Sequence, residues 1–326
     1  MFELIDRIVA LDIGGRGVAG LYAPARALLD RPICLAAAET LAGLRAGECV
    51  FLITGSLSRA TVDRSIAEND GPIGVAALAR AISYGANAIP IVLTDASIRG
   101  KVAKMIELAG PSAMTPEQAE TAAATPRFTA LACVLGGEED DAAARAQADA
   151  LLERFRPRAV LSVERAGLTA DGTYRNMLGQ DYSEGRARLD HVVAGARARR
   201  IPTVGVGDGG NEIGFGAIRE AVVRHVPHGA ILCAASATDI VLPAGVSNWG
   251  CYAILAALAL VKGDASLAHT PDLERRLIEA SPLLGLIDGS SGKLEPTVDG
   301  MPVEVHRGIV ALLAETVRRG LARSAR

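Results

Sequence analysis

Carboxylates and amides flanked by glycines recur along this chain in short polar stretches that follow apolar runs. The densest is Gly207-Asp208-Gly209-Gly210-Asn211-Glu212-Ile213-Gly214. Others are Thr54-Gly55-Ser56, Asn69-Asp70-Gly71-Pro72-Ile73-Gly74, Thr94-Asp95, Glu164-Arg165-Ala166-Gly167 and Asp171-Gly172-Thr173-Tyr174-Arg175-Asn176-Met177-Leu178-Gly179. Carboxyl groups whose surroundings split their pKa values can serve as proton donor and proton acceptor. Asp208 and Glu212 are the first candidates for that pair, with Glu164 as a third. Arg165 can clamp a ligand carboxylate through two N–H groups, or form a structural pair with a neighbouring acid. At the Asp70–Gly74 turn Asp70 can cap a helix that Pro72 opens, and the free N–H groups there can receive a carboxylate or phosphate. Ser247-Asn248-Trp249-Gly250 repeats that arrangement before a second helix: Ser247 or Asn248 can be its N-cap, and the single tryptophan a wall for a small ligand. Asp95, Glu164, Asp171, Asp208 and Glu212 also make an oxygen donor set suited to a hard divalent cation such as Mg2+ or Mn2+.

Gly205-Val206-Gly207-Asp208-Gly209-Gly210 has the spacing of a dinucleotide-binding glycine loop. Asp208 and Glu212, however, would set negative charge against a pyrophosphate, so the loop reads as an acid-bearing catalytic one. His191, His225, His228, His269 and His306 lie away from these loops in the sequence and form no metal-binding or triad spacing.

Each of these groups needs a rigid element to place it. Short apolar runs at Cys49 to Thr54, Ala88 to Thr94, Thr129 to Leu135, Ala159 to Val163, Pro202 to Val206 and Ala230 to Ala234 read as about six buried strands. Helical patterns fall between and after them, including Ile73 to Tyr84, Arg99 to Leu108, Asp140 to Phe155, Leu189 to Arg199, Gly216 to Val226 and Tyr252 to Val261. Continuous apolar strands alternating with helices predict an α/β fold, a mostly parallel sheet covered on both faces. Ligands of such sheets bind beyond the carboxyl ends of the strands, where the polar loops above converge. One domain over residues 1–326 is expected, with about 40 helical residues at its start and a surface excursion at 111–126.

Composition narrows the function. Half of the 326 residues are hydrophobic, Lys and Arg number 34 against 37 Asp and Glu, and the net charge is −3. With aromatics at only 3% there is neither the charge nor the stacking surface for nucleic acid as the main partner. The 35 glycines, about 11% of the chain against a usual 7%, imply many tight turns and close backbone approaches. Five cysteines stand singly, as reduced core thiols do. The acidic start Met1-Phe2-Glu3-Leu4-Ile5-Asp6 and apolar runs of about 10 residues at most predict neither signal peptide nor membrane span, hence a cytoplasmic protein. Alanine-rich helices leave room for a homo-oligomer.

Six motifs in fixed order carry a resemblance. They are Asp70-Gly71-Pro72 with Gly74, Glu164-Arg165, Asp171-Gly172-Thr173-Tyr174 with Asn176 and Gly179, Gly207 to Gly214, Ser247-Asn248-Trp249-Gly250, and Thr297-Val298-Asp299-Gly300. From about Leu41 to about Leu313 the chain resembles the C-terminal domain of the D-glutamate cyclase family. The resemblance implies a lyase that closes D-glutamate to 5-oxo-D-proline. On that reading Asp208, Glu212 and Glu164 move the protons, and Arg165 and the Asp70–Gly74 turn anchor the substrate carboxylates. Asn211, Asn176 and Ser247 are then the donors to the developing tetrahedral oxygen. Thr54, Gly55, Asp95, Asp171, Tyr174, Gly209, Gly210, Asn248 and Trp249 complete the expected pocket for an acidic amino acid. Alternatives are a lactam hydrolase or lyase on a related amino-dicarboxylate, and a module that senses an acidic amino acid or a nucleotide.

Overall fold

The computed structural model describes residues 1–123 and 130–324. Seven strands build the central sheet: β1 (Cys49–Ile53), β2 (Ile89–Asp95), β3 (Ser112–Met114), β4 (Leu131–Gly137), β5 (Val160–Val163), β6 (Thr203–Gly207) and β7 (Ile240–Pro243). All run parallel, in the order β3-β4-β2-β1-β5-β6-β7.

Apolar residues on both faces of the central strands dictate this form. Along β1, Val50 and Leu52 enter one core while Phe51 and Ile53 enter the other. The first core is closed by helices Ile33–Ala42, Pro72–Ala86, Arg99–Ala109, Ser247–Lys262 and Val303–Ser324, and the second by Pro116–Ala123, Asp141–Phe155 and Asp190–Ala198. Ser247–Lys262 is buried on every side over residues 247–259, as a helix apolar all round must be. Gly250 lets it approach the sheet: a Cβ there would collide with the side chain of Val206. The first 42 residues form helices Phe2–Val9, Tyr22–Ala27 and Ile33–Ala42, which bury Ile5, Val9 and Leu21 in the same core.

Two expectations are corrected. Ala230 to Ala234 is not a strand: Gly229–Leu232 is a helical turn with Ile231 exposed, and the last strand of the central sheet is Ile240–Pro243. A short apolar run carries no periodicity that separates the two cases. The 111–126 segment is not simply a surface excursion, since Ser112–Met114 is the edge strand β3 beside β4 and Ala119 on the next helix is buried. Its last residues, like Thr129 of the run expected at Thr129 to Leu135, lie outside the described residues. Among the described residues no helix is long and apolar enough to cross a membrane.

Candidate active site

From β1 the chain builds β2, β3 and β4 on one side, then returns to lay β5, β6 and β7 on the other. The carboxyl ends of β1 and β5 therefore flank the crevice where the order reverses, the usual ligand position in such sheets. Glu164 follows β5 directly, its backbone in the left-handed region at φ 47°. Asp208 follows β6, and Asp70 stands before helix Pro72–Ala86. One carboxylate oxygen from each of Asp70, Glu164 and Asp208 lies within 4.8 Å of the others. Ser247 Oγ donates to Glu164 Oε2 at 2.5 Å.

Gly71 makes this approach sterically possible. Its φ is 86°, and a Cβ there would stand 2.7 Å from Thr54 Oγ1 and 2.8 Å from Glu164 Cβ. Thr54 Oγ1 is buried and has no hydrogen-bond partner among the described residues. The two helices entering the site cap each other. Asp70 accepts from Ser247 N and Asn248 N at 3.0 and 2.9 Å, and Asn248 Oδ1 accepts from Gly71 N and Gly74 N at 3.0 and 2.6 Å. Neither Ser247 nor Asn248 is the N-cap of its own helix, a position held by Val246. The turn N–H groups expected to meet a ligand carboxylate are in this way partly taken by Asn248.

Arg16 enters from a distant loop. Its Nη1 donates to Asp208 Oδ2 at 2.5 Å, and its Nη2 lies 2.8 Å from Asp299 Oδ1 and 3.3 Å from Ser290 Oγ. Burial pushes the Asp70, Glu164 and Asp208 carboxyls well above the ordinary carboxyl range. Mutual repulsion adds to this, from Asp299 and Asp208 on Asp70 and from Glu212 and Asp70 on Glu164, while Arg16 opposes the rise at Asp208. Like charges this close cannot all ionise, so the cluster retains protons and titrates as a unit.

Other expected residues are engaged elsewhere. Glu212 turns back into its own loop and accepts from the N–H groups of Asp208, Gly209 and Gly210 at 2.7–2.9 Å. Its carboxylate thus fills the nest a phosphate would need, and the loop is not free to bind a dinucleotide. Arg165 is spent on Asp95, with two bonds of 2.5 and 2.8 Å, and on the carbonyls of Gly55 and Ala187. It is the structural pair rather than an open clamp, and Asp95 is no free metal ligand. Trp249 is fully buried, donates to His306 Nδ1 at 3.0 Å and lines no ligand wall. Tyr174 is buried against Asp190 at 2.8 Å. Asp171 and Asn176 organise the 169–180 turn through short-range bonds, and Asn211 donates to the Arg175 carbonyl.

Oxygen donors of a kind that hard divalent ions prefer are present in Asp70, Glu164 and Asp208, and Asp299 Oδ2 beside them is buried without a partner. This set keeps Asp208 and Glu164 from the expected ligands and has Asp70 in place of Glu212, Asp95 and Asp171. Arg16 and Asp299 were not picked out as site residues. Arg16 stands alone among glycines in Gly14-Gly15-Arg16-Gly17, and Asp299 sits in the Thr297-to-Gly300 motif, the only sequence signals that pointed to them.

Residues 5–314 match the family described as D-glutamate cyclase-like, C-terminal. Among curated proteins the chain is similar to the human protein named D-glutamate cyclase, mitochondrial. The two are 32% identical over 168 residues, 44% of this chain and 27% of the human one. The chain thus spans about a quarter of the length of that relative. By the near-complete match, this chain belongs to the D-glutamate cyclase-like C-terminal domain family.

Proposed function

We propose that the chain is a lyase that closes D-glutamate to 5-oxo-D-proline, or runs the reverse reaction, at the carboxyl cluster of Asp70, Glu164 and Asp208. The observation that carries the reading is the convergence of these three buried carboxyls in one crevice of a chain of this family. In the closure, nitrogen bonds to the γ-carboxyl carbon, a C–O bond breaks and water departs. Two protons leave the ammonium group and both depart with the oxygen, so no net proton is taken up. A coupled cluster that retains protons above the ordinary carboxyl range suits this transfer, since one carboxylate accepts at nitrogen while a neutral carboxyl donates to the leaving oxygen. Asp208, whose rise Arg16 opposes, fits the acceptor; Glu164 and Asp70, pushed up by burial and by neighbouring acids, fit the donor. The Ser247 hydroxyl, by donating to Glu164, holds that carboxyl in position for the transfer. A Mg2+ or Mn2+ ion held by Asp70, Glu164 and Asp208 would supply Lewis-acid polarisation of the γ-carboxylate. Holding the extended substrate bent is worth as much as about 7–11 kcal/mol of the barrier in well-oriented cases.

NMR of the protein with D-glutamate, L-glutamate and both 5-oxoprolines, in chelator and in added Mn2+, tests the reading. Expected is interconversion of the D pair alone, reduced about 100-fold or more by Asp208→Asn. No conversion in either direction overturns it.

A further inference from the structure

Arg186 is a buried cation that the protein itself leaves without a counter-ion. It is 2% exposed, and among the described residues it forms no ion pair. Its Nε donates to the Tyr182 carbonyl at 2.7 Å, its Nη2 to the Leu57 carbonyl, and its Nη1 is buried with no partner. The guanidinium lies 3.5 Å over the Tyr182 ring. The other fully buried guanidinium, Arg165, holds Asp95 with two bonds. An unpaired charge in such surroundings is costly, and burial pushes the Arg186 guanidinium below its usual range. Two neutral carbonyls do not offset that cost as an anion does.

The place of Arg186 says which anion. Tyr182, stacked beneath it, accepts at its hydroxyl from Asn211 Nδ2 at 3.4 Å, so one tyrosine joins the arginine to the loop that carries Asp208. Of the acids that act on Arg186, Asp95 is already held by Arg165, and Glu68 is itself pushed towards its neutral form by burial and by Asp299. A carboxylate at the end of a short chain supplies the one negative charge that the unpartnered Nη1 lacks and can reach back towards the acids, where a dianionic phosphate would bring two charges. Gly185, next to Arg186 in the chain, faces the side chain of Arg64, which is fastened by half-exposed pairs to Glu139 and Glu184. Such pairs hold weakly.

We infer that Arg186 is the anchor for one carboxylate of a short dicarboxylic ligand whose other end meets the Asp70, Glu164 and Asp208 cluster. The inference rests on the proposed reaction only in naming that ligand an acidic amino acid.

Glutarate, which has both carboxylates and no amine, is the probe. Calorimetric titration of the whole chain is expected to give binding that weakens at least tenfold in Arg186→Met and less in Arg186→Lys. The unliganded melting temperature of Arg186→Met is expected to be no lower than that of the parent, because an uncompensated charge is removed. Absence of glutarate binding by the parent overturns the inference, as does unchanged affinity in Arg186→Met. Should Arg186→Met not fold, unchanged affinity in Arg186→Lys overturns it equally. Arg186-dependent glutarate binding without D-glutamate turnover upholds the anchor and rejects the reaction; turnover with Arg186-independent binding does the converse.

Discussion

Glu164 shows how one side chain carries both strain and chemistry. Its φ of 47° is uncommon for a residue with a Cβ, and its carboxyl is buried against other acids. A carboxyl whose pKa is raised in the folded state binds its proton there while the unfolded chain has already lost it. Stability from that group is therefore complete below about pH 4, the unfolded carboxyl range, and is lost as the pH rises through the raised value. Glu164→Gln removes this liability. Relative to the parent, the variant is expected to gain roughly 1–3 kcal/mol between pH 4 and pH 8 in urea unfolding. An equal difference at both pH values would show that folding does not raise the Glu164 pKa.

At the scale of elements, the site exists because two helices from opposite ends of the chain share their caps. Helix Pro72–Ala86 receives Asn248, and helix Ser247–Lys262 receives Asp70. Each donor set is buried, so deletion of an acceptor leaves N–H groups with neither protein nor bulk water to bind. Asn248→Ala is expected to lower unfolding free energy by about 2–4 kcal/mol with an unchanged urea m-value. A loss under about 0.5 kcal/mol would mean that other groups replace the cap. The motifs Asp70-Gly71-Pro72 and Ser247-Asn248 were legible as helix entries. Which one caps which was not, because the partners lie 177 residues apart.

Across the whole molecule, the Asp95–Arg165 pair ties together the rim on which the site is built. Arg165 follows Glu164 and reaches the Gly55 carbonyl after β1, Asp95 at the end of β2, and the Ala187 carbonyl. Asp95 in turn accepts from Ala187 N at 2.7 Å. Both side chains are 1% exposed, so loss of one partner strands a buried charge. Asp95→Leu is expected to destabilise by about 3–5 kcal/mol, and the double change with Arg165→Met by less than that, in denaturant unfolding. A double variant worse than the single one would show that the pair matters for its other hydrogen bonds rather than its charge.

Local chemistry was enough to determine the architecture. Continuous apolar runs separated by helical patterns specify a parallel sheet buried on both faces, and the polar loops after those runs specify its functional edge. Asp208, Glu164, Asp70 and Ser247 were visible because each directly follows a strand or opens a helix. Tertiary structure alone decided which charges are free. Arg165 and Asp95 look like site residues until they are found holding each other. Glu212 looks catalytic until three backbone N–H groups claim it, and Arg16 looks idle until it crosses 192 residues of chain to Asp208. Periodicity and turn preference act between near neighbours and can be read in order along the chain. Pairing and burial of charge depend on what folding brings alongside, and no spacing in the sequence encodes that.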